Sequence, residues 1–413
     1  MKYWKTRVSL FVVSCLLMLI ILGFAGGVDI ASFKKNYVES LTASYGVAGS
    51  EPVRKIEYAL KYGKPLENFY GMRELLKETR KDFPEIYDIQ IMLRDGKVAY
   101  QLSEGEIKGP ARQEVVEVAF SQEILEKGRG SISIDGQDHV LVPIHNKSGV
   151  QVGVLDIILP GAIISEKIVA YSQKIIGLLV MIGLLSLMAA GLLFFLAPVV
   201  RDTGEIRIKA VMGFLILVLA VAQISFGAMN YSLYKQIFIE TSKENTSMVV
   251  KVVQRDMNTV IQKGISVKEL NGIETWLNAI VASVPEIESL YITDMRGEVF
   301  YKTKNLIFMQ EELMDPMYNY SMPLVKDGNN QKGMVNLVLS KKYIAKKLVD
   351  IALDTVTVLL ISFIFMTEIM IALNLLLNRR KEAEVDRQAD QRSQSDGTAL
   401  DRVAAVSVMD EAN

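Results

Sequence analysis

"PEIYDIQIMLRDGKVAY" (Pro84–Tyr100) and "PEIESLYITDMRGEVFY" (Pro285–Tyr301) stand 201 residues apart in a chain of 413. Each joins a run rich in β-branched and aromatic residues to a Gly-containing turn and a second short run, the pattern of a β-hairpin. Working outward at the same offset, residues 57–100 align with 258–301 without a gap, and ten of the 44 positions are identical. The offset also pairs "SFKKNYVES" (32–40) with "LYKQIFIET" (233–241). Further on, an offset of 180 pairs "VPIHNKSGVQVGVLDIIL" (142–159) with "MPLVKDGNNQKGMVNLVL" (322–339). The chain is therefore an internal duplication. The change of offset leaves the first copy 21 residues longer between Tyr100 and Val142.

Each copy lies between long apolar runs. Val8–Val28, Ile175–Val200 and Ala210–Tyr234 carry no charge, and Thr355–Asn378 carries only Glu368. Each is long enough for a bilayer, which takes about 20 apolar residues. The expected organisation is a cytoplasmic start (1–7), a span (8–28), repeat one (29–173), a span (174–200) and a loop (201–209). A third span (210–231), repeat two (232–349), a fourth span (350–378) and a tail (379–413) complete it. The short segments are basic: Lys2, Lys5 and Arg7, then Arg201, Arg207 and Lys209, then Arg379, Arg380 and Lys381. The positive-inside rule puts them in the cytoplasm and both repeats outside it. The only cysteine, Cys15, sits inside the first run, so no disulfide forms within the chain. Apolar sequence continues past Cys15, and the third span, which matches the first, cannot be a cleaved leader. An intact first span is expected.

Within a repeat, a helical stalk is expected at 30–45 and again at 232–262, then an amphipathic helix at 70–81 and 271–282. "IYDIQIML" and the segment ending at Tyr100 read as strands around Asp95-Gly96. "SISIDGQDHVLVPIH" and "VQVGVLDIIL" add two or three more, turning at Asp135-Gly136 and Ser148-Gly149. "PARQEVVEVAFSQEILEKG" (110–128) reads as one added helix, unique to repeat one, with Val115, Val118, Ala119 and Ile124 on one side and Gly128 as its stop. "SEKIVAYSQK" (165–174) runs as helix into the second span. The fold class is α+β: two antiparallel-sheet domains with long stalk helices, plus four membrane-spanning α-helices.

"FPEIYDIQIMLRDGKVAY" followed by "VPIHNKSGVQVGVLDIIL" resembles the PAS-like Cache sensor domains of bacterial receptors, over about 30–170 and 235–348. The resemblance implies a five-stranded sheet whose concave face holds a small ligand. It also implies a bacterial cytoplasmic (inner) membrane with both domains extracytoplasmic. The chain departs from that family in that no transmitter domain follows the last span.

Net charge is −1, with 46 basic and 47 acidic residues, and nothing points to nucleic acid. There is no phosphate loop, nucleophile elbow or His-Glu metal motif, so neither an enzyme nor a cofactor is expected. The ligand would sit at polar residues of the sheet. Asp156 shares a strand face with Val152, Val154 and Ile158 in an otherwise apolar strand, and its counterpart in repeat two is Asn336. A buried carboxylate needs a partner, whether a ligand amine, an arginine or backbone donors; the alternatives are an edge position facing water and a structural hydrogen bond. His139 and His145, the only histidines, flank Pro143 at even spacing and read as solvated residues on one strand face. Tyr87, Arg94 and Tyr100, with Tyr291, Tyr301 and Tyr320, suit orienting a small polar ligand or packing in the core. Glu368 is expected to turn inward, with Gln223 as its partner at similar depth.

The reading is a receptor that detects an amino acid, carboxylate or amine outside the cytoplasm and signals to a separate cytoplasmic or membrane output protein. A homodimer is compatible with it. The rivals are a structural or assembly subunit that binds a protein through its exported domains, and a transport module, for which one intramembrane acid is meagre.

Overall fold

The computed structural model describes residues 4–103, 110–196, 208–305, 315–326, 330–365, 367–369, 371 and 375. Most of the basic loop and the whole tail lie outside them. The chain forms two compact units. One comprises Met1–Ala25, Leu179–Gly227 and Asp354–Asn413; the other comprises Gly26–Leu178 and Ala228–Leu353.

Four helices, α1 (Trp4–Lys61), α5 (Gly161–Leu196), α6 (Ile208–Gln262) and α8 (Lys341–Ile369), each hold a stretch long and apolar enough to cross a membrane. In the first unit, Leu17, Met18 and Ile21 of α1 pack on Val218 and Leu219 of α6, with Phe363 and Ile369 of α8 against them. Gln223 Nε2 donates to Ser362 Oγ at 2.9 Å inside this unit. The expected pairing of Gln223 with Glu368 is thereby corrected, because the inward position on α8 belongs to Ser362 and Glu368 is exposed.

The second unit holds both repeats. In repeat one, α2 (Met72–Asp82) precedes β1 (Asp88–Leu93) and β2 (Val98–Gln101). Then come α3 (Gln113–Ala119), α4 (Gln122–Lys127), β3 (Gly130–Ile134), β4 (Gln137–His145) and β5 (Gln151–Pro160). These strands form an antiparallel sheet in the order β2-β1-β5-β4-β3. In repeat two, α7 (Ile273–Ser283) is followed by β6 (Ile287–Thr293), β7 (Val299–Lys302), β8 (Asn319–Lys326) and β9 (Asn330–Leu339). Its order is β7-β6-β9-β8, the same walk less a counterpart of β3 among the described residues. Among the described residues, five strands, the number implied by the resemblance, are thus met in repeat one only.

The shared glycines account for much of the likeness. Gly63 and Gly264, Gly71 and Gly272, and Gly96 and Gly297 all take φ between +79° and +83°, where a Cβ is strained. Gly71 and Gly272 are the N-caps of α2 and α7, so the amphipathic helices start two residues later than expected.

Two expectations about helices need correction. The first stalk does not end near residue 45: α1 continues to Lys61, through Pro52. Packing holds this Gly- and Pro-containing stretch in the helix. Gly49 lies so close to the sheet that a Cβ there would meet Ile157 Cδ1 and Val142 Cγ2 at 3.0 Å. The added segment is two helices rather than one. Ser121, with extended φ and ψ of −71° and 154°, interrupts it and caps the second. Gly128, in the left-handed region, ends it as expected.

The repeats meet through equivalent residues. Asn230 Nδ2 donates to Asp29 Oδ2 at 2.9 Å, and the Phe33 and Tyr234 rings meet edge-on at 6.1 Å. Both pairs are 201 residues apart, the repeat offset. Like-to-like contact is the mark of an isologous, two-fold interface. Tyr171 of α5 stacks on Phe33 at 4.2 Å and donates to Asn230 Oδ1. Farther along the stalks, Arg255 of α6 reaches Glu51 of α1 at 2.6 Å and also pairs with Asp82 of α2.

Candidate functional site

Asp156 occupies the middle of β5, which is itself the central strand of its sheet. Register sets it beside Gln90 of β1 and Leu141 of β4. Its side chain is 0% exposed. Gln90 Nε2 donates to Oδ2 at 2.7 Å, and His139 Nδ1 lies 2.9 Å from Oδ2 and 3.1 Å from Oδ1. A carboxylate acceptor fixes the His139 proton on Nδ1, which leaves Nε2 as the ring nitrogen free for another group. The Gln90 amide is held likewise, by its nitrogen, with Oε1 left over.

This trio lies under the added segment. Val115, Ala119 and Ile124 of α3 and α4 cover Met92, Leu141 and Val154 in one apolar cluster. Beside it opens a cleft of about 220 Å³ lined by Gln90, Gln101, Arg112, Val115, Gln137 and His139, among others. At its rim Arg112 is ion-paired with Asp135. Gln101 is fixed from behind, its Nε2 donating to Asp88 Oδ2 at 2.7 Å, while Asp88 Oδ1 accepts the backbone N–H groups of Ile89 and Ser103. The cleft thus offers amide groups, an imidazole nitrogen and a guanidinium, and a polar molecule of a few heavy atoms fits those donors and acceptors.

The structure brings Asp156 and His139 together and separates the other candidates. His139 is buried beneath the α3–α4 segment, not solvated. His145 does not join it: a register shift between Ile144 and His145 breaks the strand alternation, and His145 is held by Glu57 of α1, Nδ1 to Oε1 at 3.1 Å. Among the described residues no group of three or more His, Cys, Asp or Glu is placed to hold a metal. Tyr87 and Arg94 are exposed and do not line the cleft. The Tyr100 hydroxyl accepts from Phe69 N–H at 2.7 Å and donates to Glu67 O at 2.8 Å; Tyr301 does the same with Leu270 N–H and O. Both tyrosines therefore brace the loop before the amphipathic helix.

In repeat two the position of Asp156 is taken by Asn336, whose Nδ2 reaches Thr293 Oγ1 at 3.3 Å and whose Oδ1 accepts from Ser321 Oγ at 2.7 Å. Tyr291, opposite Asn336 in register, is half-buried and its phenol is pushed up by that burial; Tyr320 is half-buried too. The charged core of repeat one is thus a neutral amide–hydroxyl network in repeat two. A larger cleft, about 340 Å³, lies between the repeats by Trp276, but its carboxylates Glu51 and Asp256 are both within reach of Arg255.

Gln90, Gln101, Arg112 and Gln137 are polar lining residues that the sequence did not single out. Gln90 carried the same sign as Asp156, a polar residue in an apolar strand. No protein-family model and no curated protein sequence matches the chain.

Proposed function

We propose that this protein is a multi-pass membrane receptor of the inner-membrane type, with two PAS-like, Cache-like domains outside the cytoplasm. Repeat one binds a small polar ligand, of the amino acid, carboxylate or amine class, in the cleft beside His139. The observation that carries this reading is the buried Asp156–His139–Gln90 trio at the inner wall of an open cleft. A core carboxylate with two polar partners is a costly thing to keep for packing alone. Repeat two, with Asn336 in its place, supports the sheet and stalk without a second site. Ligand binding shifts α3 and α4 on the sheet, and the helices that leave the repeats, α5 and α8, pass the change to a separate output protein. The ligand does so only by binding the two arrangements with different affinity.

The test is a thermal-shift screen of the purified full chain against amino acids, carboxylates and amines. A ligand at a hundred times its dissociation constant adds about 2.7 kcal/mol of stability. A hit that disappears in His139→Ala and survives Asn336→Ala supports the reading. A folded protein indifferent to the whole panel would move the assignment to an assembly subunit that binds protein.

A further inference from the structure

We infer that α8 uses the face carrying Glu368 to bind a membrane protein whose spanning helix presents a lysine or arginine at matching depth. The inference rests on the proposed membrane reading. Val358 and Ser362 face inward on α8, 6% and 4% exposed. Glu368 follows Ser362 by six residues, about 240° around the helix, and is exposed. Val356, Leu360, Ile364, Ile371 and Leu375 are exposed with it, each by more than half of its surface. At about 100° per residue, these six positions fall in one stripe about 120° wide.

Lipid solvates five of those side chains and not the sixth. Glu368 stands fourteen residues beyond Asp354, about 21 Å along the helix, well inside a hydrocarbon layer about 30 Å thick. Intramembrane carboxylates pair with other polar groups or face a protein interior. The neighbouring Thr367 hydroxyl is satisfied by Phe363 O at 2.7 Å, and Gln223 is engaged with Ser362. Among the described residues nothing bonds to Glu368. The other three apolar runs contain no charged residue at all, so a second copy could bring only another glutamate to this face. Charge complementarity therefore points to a basic residue on a different chain, placed on the same helix that leaves β9 of repeat two. In the proposed receptor, that partner is the separate output protein.

The test uses the full chain with Cys15→Ser and Ile364→Cys, expressed in a bacterial inner membrane. It is paired with a designed single-span leucine–alanine helix carrying one lysine at the depth of Glu368 and one cysteine beside it. Disulfide cross-linking to the lysine helix should exceed that to a leucine control by about fivefold to tenfold. The excess should vanish in Glu368→Gln and return when Glu368→Lys meets a glutamate-bearing helix. That charge swap separates pairing from loss of folding. A lysine helix no better than the control would overturn the inference. So would strong cross-linking between copies of the chain at Ile364→Cys without the designed helix, which would assign the face to self-association. Labelling of Ile364→Cys by a water-soluble maleimide in intact vesicles would overturn the membrane reading itself, and this inference with it.

Discussion

A carboxylate with no exposed surface is stable only while its donors stay in place, and Asp156 has two. Asp156→Ala strands the Gln90 amide and the His139 Nδ1–H in the core, with an expected loss of about 1–3 kcal/mol, measured by chemical denaturation of the full chain. The matching change in repeat two, Asn336→Ala, breaks only neutral hydrogen bonds and should cost less. A second acid makes a prediction about pH. Burial pushes the Glu286 carboxyl up from its usual 4.5, against the smaller opposing effects of a backbone hydrogen bond and of Ser40, with the like charge of Glu39 adding to the rise. The folded chain therefore keeps this proton at pH values where the unfolded chain has lost it. In the window that opens near 4.5 and extends to the raised value, stability falls as pH rises, and mild acidification stabilises. Glu286→Gln should flatten that slope and raise the urea midpoint at neutral pH. At this scale the sequence spoke unevenly. Asp156 was legible because a polar residue in an apolar strand is a visible anomaly. Its partners were not, since which residues face it depends on register, and His139 is buried only because α3 and α4 cover it. Glu85 and Glu286 hold the same place in the quoted tripeptide, yet one is half-buried and the other wholly so.

Periodicity located most elements within two residues, because β-strands alternating around Gly turns and an amphipathic helix carry their signal locally. The elements it misplaced are those whose extent is set by packing. The sequence around Gly46, Gly49 and Pro52 looks like a helix end, yet α1 runs through it because glycine lets the helix lie against β4 and β5. Gly49→Val should therefore destabilise the protein by about 1–3 kcal/mol, since its side chain would crowd Val142, Leu155 and Ile157 together. A shift of the thermal midpoint checks it. The tyrosine braces make a paired prediction. Tyr100→Phe and Tyr301→Phe remove the same two backbone contacts, one in each repeat, and each should cost about 1 kcal/mol without altering ligand response. A ligand response lost in Tyr100→Phe alone would return that residue to the binding site.

Across the whole second unit, the duplication folds back on itself, and residues one repeat apart become neighbours. Away from those like-to-like contacts, Arg255 joins α6 to both α1 and α2. Burial opposes its charge, but the hydrogen bond it donates to Asp82 and the charge of Glu51 outweigh it and hold the guanidinium above its usual range. Arg255→Ala leaves Glu51 and Asp82 facing each other without their shared cation, at an expected cost of about 1–3 kcal/mol. Hydrogen exchange should show α2 and the far end of the stalks opening first. The sequence announced two copies but not that they would pair, because an isologous contact depends on which helix faces are presented. The Asp29–Asn230 bond has a consequence for the cell. Two halves carried on one chain meet at an effective concentration set by that chain, whatever the number of molecules present. Receptors assembled from separate subunits lose their pairing as expression falls and can exchange partners with close relatives. In the proposed receptor, a chain that carries both halves is exempt from each, and its dose response would keep the same midpoint from the first molecule made to the last.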